Sequence, residues 1–87
     1  MYLAEVRGHV VATTKNEYLV GKKLLIVQPL SPSFEPYGEA IVAIDTVGAG
    51  FSDRVLVATG SSARAIFDEK APVDAAIVAI IDTLERH

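Results

Sequence analysis

A chain of 87 residues with a net charge of −3, 51% hydrophobic residues and no cysteine has room for one domain, and it excludes disulfides and thiolate metal sites. The acidic balance opposes phosphate-backbone binding, which needs clustered Lys and Arg, and no apolar run approaches the ~20 residues of a membrane span. A domain this small buries only about 60–65% of its unfolded surface and needs a staple; the two histidines, His9 and His87, lie far apart in sequence, so association with further copies is the route left open.

The opening residues, Met1 to Glu5, lack the basic and apolar regions of a secretion signal, and a cytoplasmic location is expected. Tyr2 to Ala12 alternates imperfectly and carries β-branched residues, which predicts a strand bent at Gly8. Asn16-Glu17 followed by Gly21 reads as a loop. Lys22 to Leu30 predicts a strand whose continuous apolar centre, Leu24-Leu25-Ile26-Val27, is buried on both faces. Pro29, Pro32 and Pro36, with Ser31 and Ser33, mark a surface loop from about Pro29 to Gly38, the segment expected to be most mobile. Glu39 to Val47 and Asp53 to Thr59 read as the third and fourth strands. Ser61 or Ser62 can cap a short helix through Phe67, and Asp68-Glu69-Lys70 is a polar turn. In the last segment Val73, Ala76, Ile77, Ile80, Ile81 and Leu84 fall at helical spacing, with Asp74 as an early-turn acid. The β-branched content instead points to a strand over Ala76 to Asp82, and strand is the reading taken. The sum is a mainly β chain, residues 1–87 as a single domain: a small five-stranded, OB-like Greek-key β-barrel with one short helix.

Two small-residue segments stand nine residues apart. Asp45-Thr46-Val47-Gly48-Ala49-Gly50 and Gly60-Ser61-Ser62-Ala63-Arg64 flank the apolar run Arg54 to Ala58. Small residues beside a strand let backbone approach backbone, within a barrel or across a subunit boundary. A phosphate loop would need a Lys-Ser/Thr and a helix after Gly48-Ala49-Gly50, whereas Phe51-Ser52-Asp53 follows, so a tight turn is the reading. Asp45 is isolated, and fits a hydrogen-bond acceptor at a turn or interface better than a catalytic base. Ser61 and Ser62 lack a base and an orienting third group, so no nucleophile is assigned. No catalytic residue, metal site or cofactor is expected. Lys15, Lys22 and Lys23 form the one basic cluster: a solvated strand end, or a rim for a partner.

The chain resembles the pentameric vertex proteins of bacterial microcompartments, the small shell proteins of carboxysomes and of ethanolamine- and propanediol-utilising organelles. The resemblance rests on Gly8-His9-Val10-Val11-Ala12-Thr13-Thr14-Lys15, Leu19 to Val27, the two small-residue segments, Pro72-Val73-Asp74 and Ile80-Ile81-Asp82, in that order and spacing. It too implies a strand, closing a barrel, over Ala76 to Asp82. One departure is visible: the family continues GAG-x-Gly-Glu, whereas Gly50 is followed here by Phe51-Ser52-Asp53. Asp53 keeps the charge, and Ser52 gives up a glycine, which implies a different turn shape. Leu19 to Val27, Asp45 to Gly50 and Asp82-Thr83-Leu84 look closer to the propanediol type than to the carboxysome type.

What the resemblance implies is a structural role without bond chemistry: five copies form a tapered plug that closes a shell of hexameric tiles at its vertices. Gly60, Ser61 and Ser62 would border the central pore. Asp45, Gly48, Ala49, Gly50, Asp53, Ala63 and Arg64 would lie at the subunit interface, Arg64 making a two-pronged contact with a neighbour's Asp45 or Asp53; an exposed Arg at a helix start is the alternative for Arg64. Lys15, Lys22 and Lys23 would meet the hexameric tiles. The expected partners are therefore copies of the chain itself and hexameric shell proteins, with neither nucleic acid nor membrane. The competing readings are an OB-type module for single-stranded nucleic acid or a small ligand, which would need exposed aromatics among cations, and a small enzyme, which would need a pocket of coupled titratable groups.

Overall fold

Alternation of inward and outward side chains bends five short strands into a closed sheet. The computed structural model describes residues 1–13, 16–60, 63 and 74–82. In it β1 (Tyr2–His9), β2 (Lys23–Leu30), β3 (Ile41–Asp45), β4 (Arg54–Thr59) and β5 (Ala75–Ile80) form a barrel in the order β1-β2-β3-β5-β4. β4 returns to β1 antiparallel, with Leu3 opposite Leu56 and Glu5 opposite Arg54. Only β3 and β5 run parallel, through Ile44↔Ala76 and Asp45↔Ile77. The mainly β barrel expected from the sequence is the fold observed.

The barrel is narrow, and its interior is filled by small and branched side chains: Ala4, Val6, Leu25, Val27, Ala43, Val55, Val57, Ala75 and Ile77, joined by Ala49 from the loop after β3. A second, smaller cluster lies on the outside, where Ala58 of β4 and Ala76 of β5 pack with Ala63 and Val78. The short helix expected after Ser61 or Ser62 falls, apart from Ala63, outside the described residues.

Several boundaries differ from the sequence reading, each for a physical reason. β1 stops at His9 rather than Ala12, and its pairing with β2 slips between Val6 and Gly8, so the expected bend takes the form of a bulge at Arg7. β2 is not buried on both faces. Leu25 and Val27 point inward, while Leu24 and Ile26 on the outer face stay half-exposed to solvent among the described residues. Asn16–Leu19 is more ordered than a plain loop: Glu17–Leu19 forms a 3-10 turn, with the Asn16 side chain accepting from the Tyr18 amide. Pro29 and Leu30 belong to β2 and are buried, so the Pro/Ser loop begins at Ser31. That loop is tied down by Ser31 Oγ, which accepts from the amides of Ser33 and Glu35, and by Gln28 Nε2, which donates to the carbonyls of Tyr37 and Gly38. The last segment is a strand, as taken, despite its helical periodicity. Ala75 and Ile77 face the barrel core and Ala76 faces the outer cluster. A strand covered on both faces carries no period-two signal.

Candidate functional site

The loop from Asp45 to Asp53 is where the sequence places most of its interface candidates, and it is built from the ends of two strands. Asp45 closes β3, and its side chain is only 3% exposed. Its Oδ1 accepts from the amides of Val47 (3.1 Å), Gly48 (3.2 Å) and Ala49 (3.2 Å), and its Oδ2 from Gly48 (3.1 Å). A short acid followed by small residues folds back on its own backbone in this way because no bulky side chain blocks the amides. Gly48 has φ +83°, which a side chain would resist.

The far half of the loop is a tight turn. Asp53 N donates to Gly50 O (3.0 Å), and Asp53 Oδ2 accepts from Gly50 N (2.9 Å). The turn is stitched to β1 by Val6 N donating to Asp53 O and Ser52 N donating to Val6 O, both at 2.9 Å. Ser52 sits at φ +70°. The turn therefore keeps the left-handed residue that a glycine would favour, and Ser52 adopts it despite its Cβ. Phe51, at the tip, is 74% exposed.

Two further ties anchor the loop. Thr46 Oγ1 donates to Ile77 O of β5 (2.6 Å). Lys23, which faces Asp45 across the β2–β3 ladder, donates from Nζ to Ala49 O (2.7 Å) and lies 3.7 Å from Asp45 Oδ2. Sequence reading grouped Lys23 with Lys15 and Lys22 by adjacency; the ladder register sets Lys23 opposite Asp45, which no one-dimensional signal shows. Lys22 is half-buried at the entry to β2, and Lys15 lies outside the described residues.

Of the second small-residue segment, Gly60 is seen at the end of β4 with φ +68°, its amide donating to Asp74 O (2.8 Å). Ala63 is fully buried against Ala58 and Ala76. Ser61, Ser62 and Arg64 lie outside the described residues. The structure thus brings Asp45, Gly48, Ala49, Gly50 and Asp53 into one clasped loop with Lys23. It places Ala63 beneath the outer face of β4 and β5, away from that loop's hydrogen bonds.

Two features went unnoticed in the sequence. Phe34, at φ +63°, holds its ring 3.9 Å from the Arg54 guanidinium. Met1, Tyr2, Leu3, Leu30, Pro32, Tyr37 and Leu56 line an open cleft of about 410 Å³. Burial, then the neighbouring Tyr37 and Asp74, push the Tyr2 phenol above its usual value of 10.0.

A sequence model described as "Ethanolamine utilisation protein EutN/carboxysome" matches residues 1–82. The chain belongs to this family. It is 49% identical over 86 residues to the microcompartment shell vertex protein GrpN of Rhodospirillum rubrum, covering 98% of this chain and 97% of that protein. The solved structure of GrpN, described as a pentameric microcompartment shell protein, superposes with a TM-score of 0.89 at 48% identity over 100% of this chain and 99% of that one. The carboxysome shell vertex protein CcmL of Synechococcus elongatus is 48% identical over 97% of this chain and 86% of its own length. The shell vertex protein PduN of Salmonella typhimurium is 46% identical over 97% and 98%. Carboxysome and propanediol-type relatives thus stand at similar identity, 48% and 46%, which gives no support to the closer likeness to the propanediol type read from short segments. The relatives are structural shell proteins and not enzymes.

Proposed function

We propose that five copies of this chain close into a ring that caps a vertex of a polyhedral microcompartment shell, as the names of its relatives describe for them. The observation that carries this reading is near-full-length identity to a protein whose solved structure is a pentamer. The physics of the single chain agrees. A barrel of 87 residues with no disulfide is marginal alone. Its outer face carries half-exposed Leu24 and Ile26 beside Val42, which is 42% exposed and pairs with Ile26. A neighbour that covered this row would remove apolar surface from water.

In the proposed ring each subunit offers one face to the next and a different face to the one before. The clasped loop of Asp45, Gly48, Ala49, Gly50 and Asp53 forms part of one such face, supported by its surface position and rigid hydrogen bonding. Gly60, Ser61 and Ser62 border the axis, and Arg64 reaches toward a neighbouring carboxylate. Asp53 is the better acceptor, because the Asp45 carboxylate is closed to solvent and already holds three amides. Hexameric shell tiles are the outer partner, met through Lys15 and Lys22. The test is native mass spectrometry of the purified protein at micromolar concentration. A species near 46 kDa, five times the 9.3 kDa chain, is expected, and a stable monomer overturns the reading.

A further inference from the structure

We propose that Lys23 is a positioning residue for assembly, whose ammonium holds the Asp45–Gly50 loop in the shape that a neighbouring copy docks against. The proposal rests on the reading that this loop faces a neighbour, and it assigns Lys23 a role inside its own subunit instead of a contact with shell tiles.

The geometry grips one residue by both of its backbone groups. The Ala49 amide donates to Asp45 Oδ1, and the Ala49 carbonyl accepts from Lys23 Nζ at 2.7 Å. The two gripping side chains sit opposite each other in the β2–β3 ladder and approach to 3.7 Å. Carboxylate and ammonium thereby fix the N–H and the C=O of the residue whose methyl group is buried in the barrel core. The residues on either side are Gly48 and Gly50, which have the widest backbone freedom of any residue type. Without the clasp the loop would sample many shapes, and ordering it on contact with a neighbour would weaken association. Removing an ammonium from a carbonyl loses a charge-assisted bond, one of the stronger kinds. The Lys23 side chain is 54% exposed, so this bond is open to water and salt, whereas the barrel beneath it is not.

The experiment compares Lys23→Met, Lys23→Arg and Val47→Asp by sedimentation across protomer concentration, with circular dichroism and urea unfolding as fold controls. Lys23→Met is expected to raise, by about tenfold or more, the concentration at which the oligomer half-dissociates. Lys23→Met should keep the β circular dichroism of the parent at matched protomer concentration, and Lys23→Arg should retain most of the assembly. Val47 lies on the same loop and is 40% exposed, and it joins the clasp through its backbone amide, which the substitution keeps. If Val47→Asp leaves assembly intact, the loop does not face a neighbour and the underlying reading fails. If Val47→Asp dissociates the oligomer but Lys23→Met does not, Lys23 has no positioning role and the loop reading stands. If Lys23→Met loses its β circular dichroism, Lys23 is a folding residue and the proposal is overturned.

Discussion

Replacing Asp45 with Ala tests whether one carboxylate organises the loop. The side chain is 3% exposed and its oxygens accept from three backbone amides at 3.1–3.2 Å, so truncation leaves three donors without their acceptor. Val47 and Gly48 lie at the surface, and water can replace the lost oxygen there; Ala49 is buried, and its amide cannot be resolvated without opening the loop. A hydrogen bond to a charged group contributes about 1.5–3 kcal/mol, and the three are not additive because they share one acceptor. The expected loss is therefore about 3 kcal/mol, dominated by the Ala49 amide and by the Lys23 ammonium left beside a neutral methyl group. For a chain of this length that lowers Tm by roughly 12–24 °C. Asp45→Asn keeps one acceptor oxygen and should lose about half as much. Urea unfolding followed by circular dichroism measures this at one fixed protomer concentration, since association shifts apparent stability by mass action. A midpoint for Asp45→Ala within about 0.5 kcal/mol of the parent, with an unchanged slope, would refute the claim that these bonds hold the loop.

Ser52→Gly removes the Cβ from a residue at φ +70° and should stabilise the chain by about 0.5–1 kcal/mol, a rise in Tm of a few degrees; a fall would show that the Ser52 side chain contributes more than its backbone strain costs. Phe34 has the same kind of backbone (φ +63°) but carries a ring that stacks on Arg54, worth about 0.5–1 kcal/mol at an exposed site. Phe34→Gly should therefore be close to neutral, whereas Arg54→Ala should destabilise, and differential scanning calorimetry of both variants checks the sign of each. Tyr2 binds its proton more tightly in the folded chain than in the unfolded one, so the unfolded state releases that proton first as pH rises. Stability should fall with increasing pH from about 10 upward, through the folded-state value, and Tyr2→Phe should flatten that slope in urea midpoints taken on either side of the window.

The strands were legible because a one-layer barrel writes its pattern into alternation. Val55 and Val57 lie inward against an outward Arg54 in the apolar run read as β4, whereas Leu24 to Val27 read as buried on both faces and only Leu25 and Val27 face inward. Where that rule broke, a physical cause can be named. Ala75, Ala76 and Ile77 are buried in succession because a second cluster covers β5 from outside, and the resulting run mimics a helix. Leu24 and Ile26 looked fully buried because a continuous apolar run is the signature both of a strand covered twice and of one that awaits a partner. The small-residue segments showed that backbone comes close to something, but not to what. For Asp45 the answer lies within the chain, in three amides of its own loop. Lys23 could not be recognised, since its partner carbonyl lies 26 residues away and only strand register brings the two together.

These placements change what kind of surface the loop presents. Had the Asp45 carboxylate and the Lys23 ammonium been free of the loop, recognition between copies would rest on unpaired surface charges, which salt screens and which contribute little. Instead the two charges turn onto the loop's own peptide groups. What faces solvent is a shaped backbone with Val47 and Phe51 as its exposed apolar side chains. Such a surface is matched by form and apolar contact. A closed ring needs the same angle at every joint, because an error in one contact is repeated at each of the others. A loop clasped at both backbone groups of one residue supplies a fixed angle better than flexible lysine and aspartate side chains could. In the proposed ring this chain therefore places Gly48 and Gly50 at a joint without losing the rigidity that closure demands.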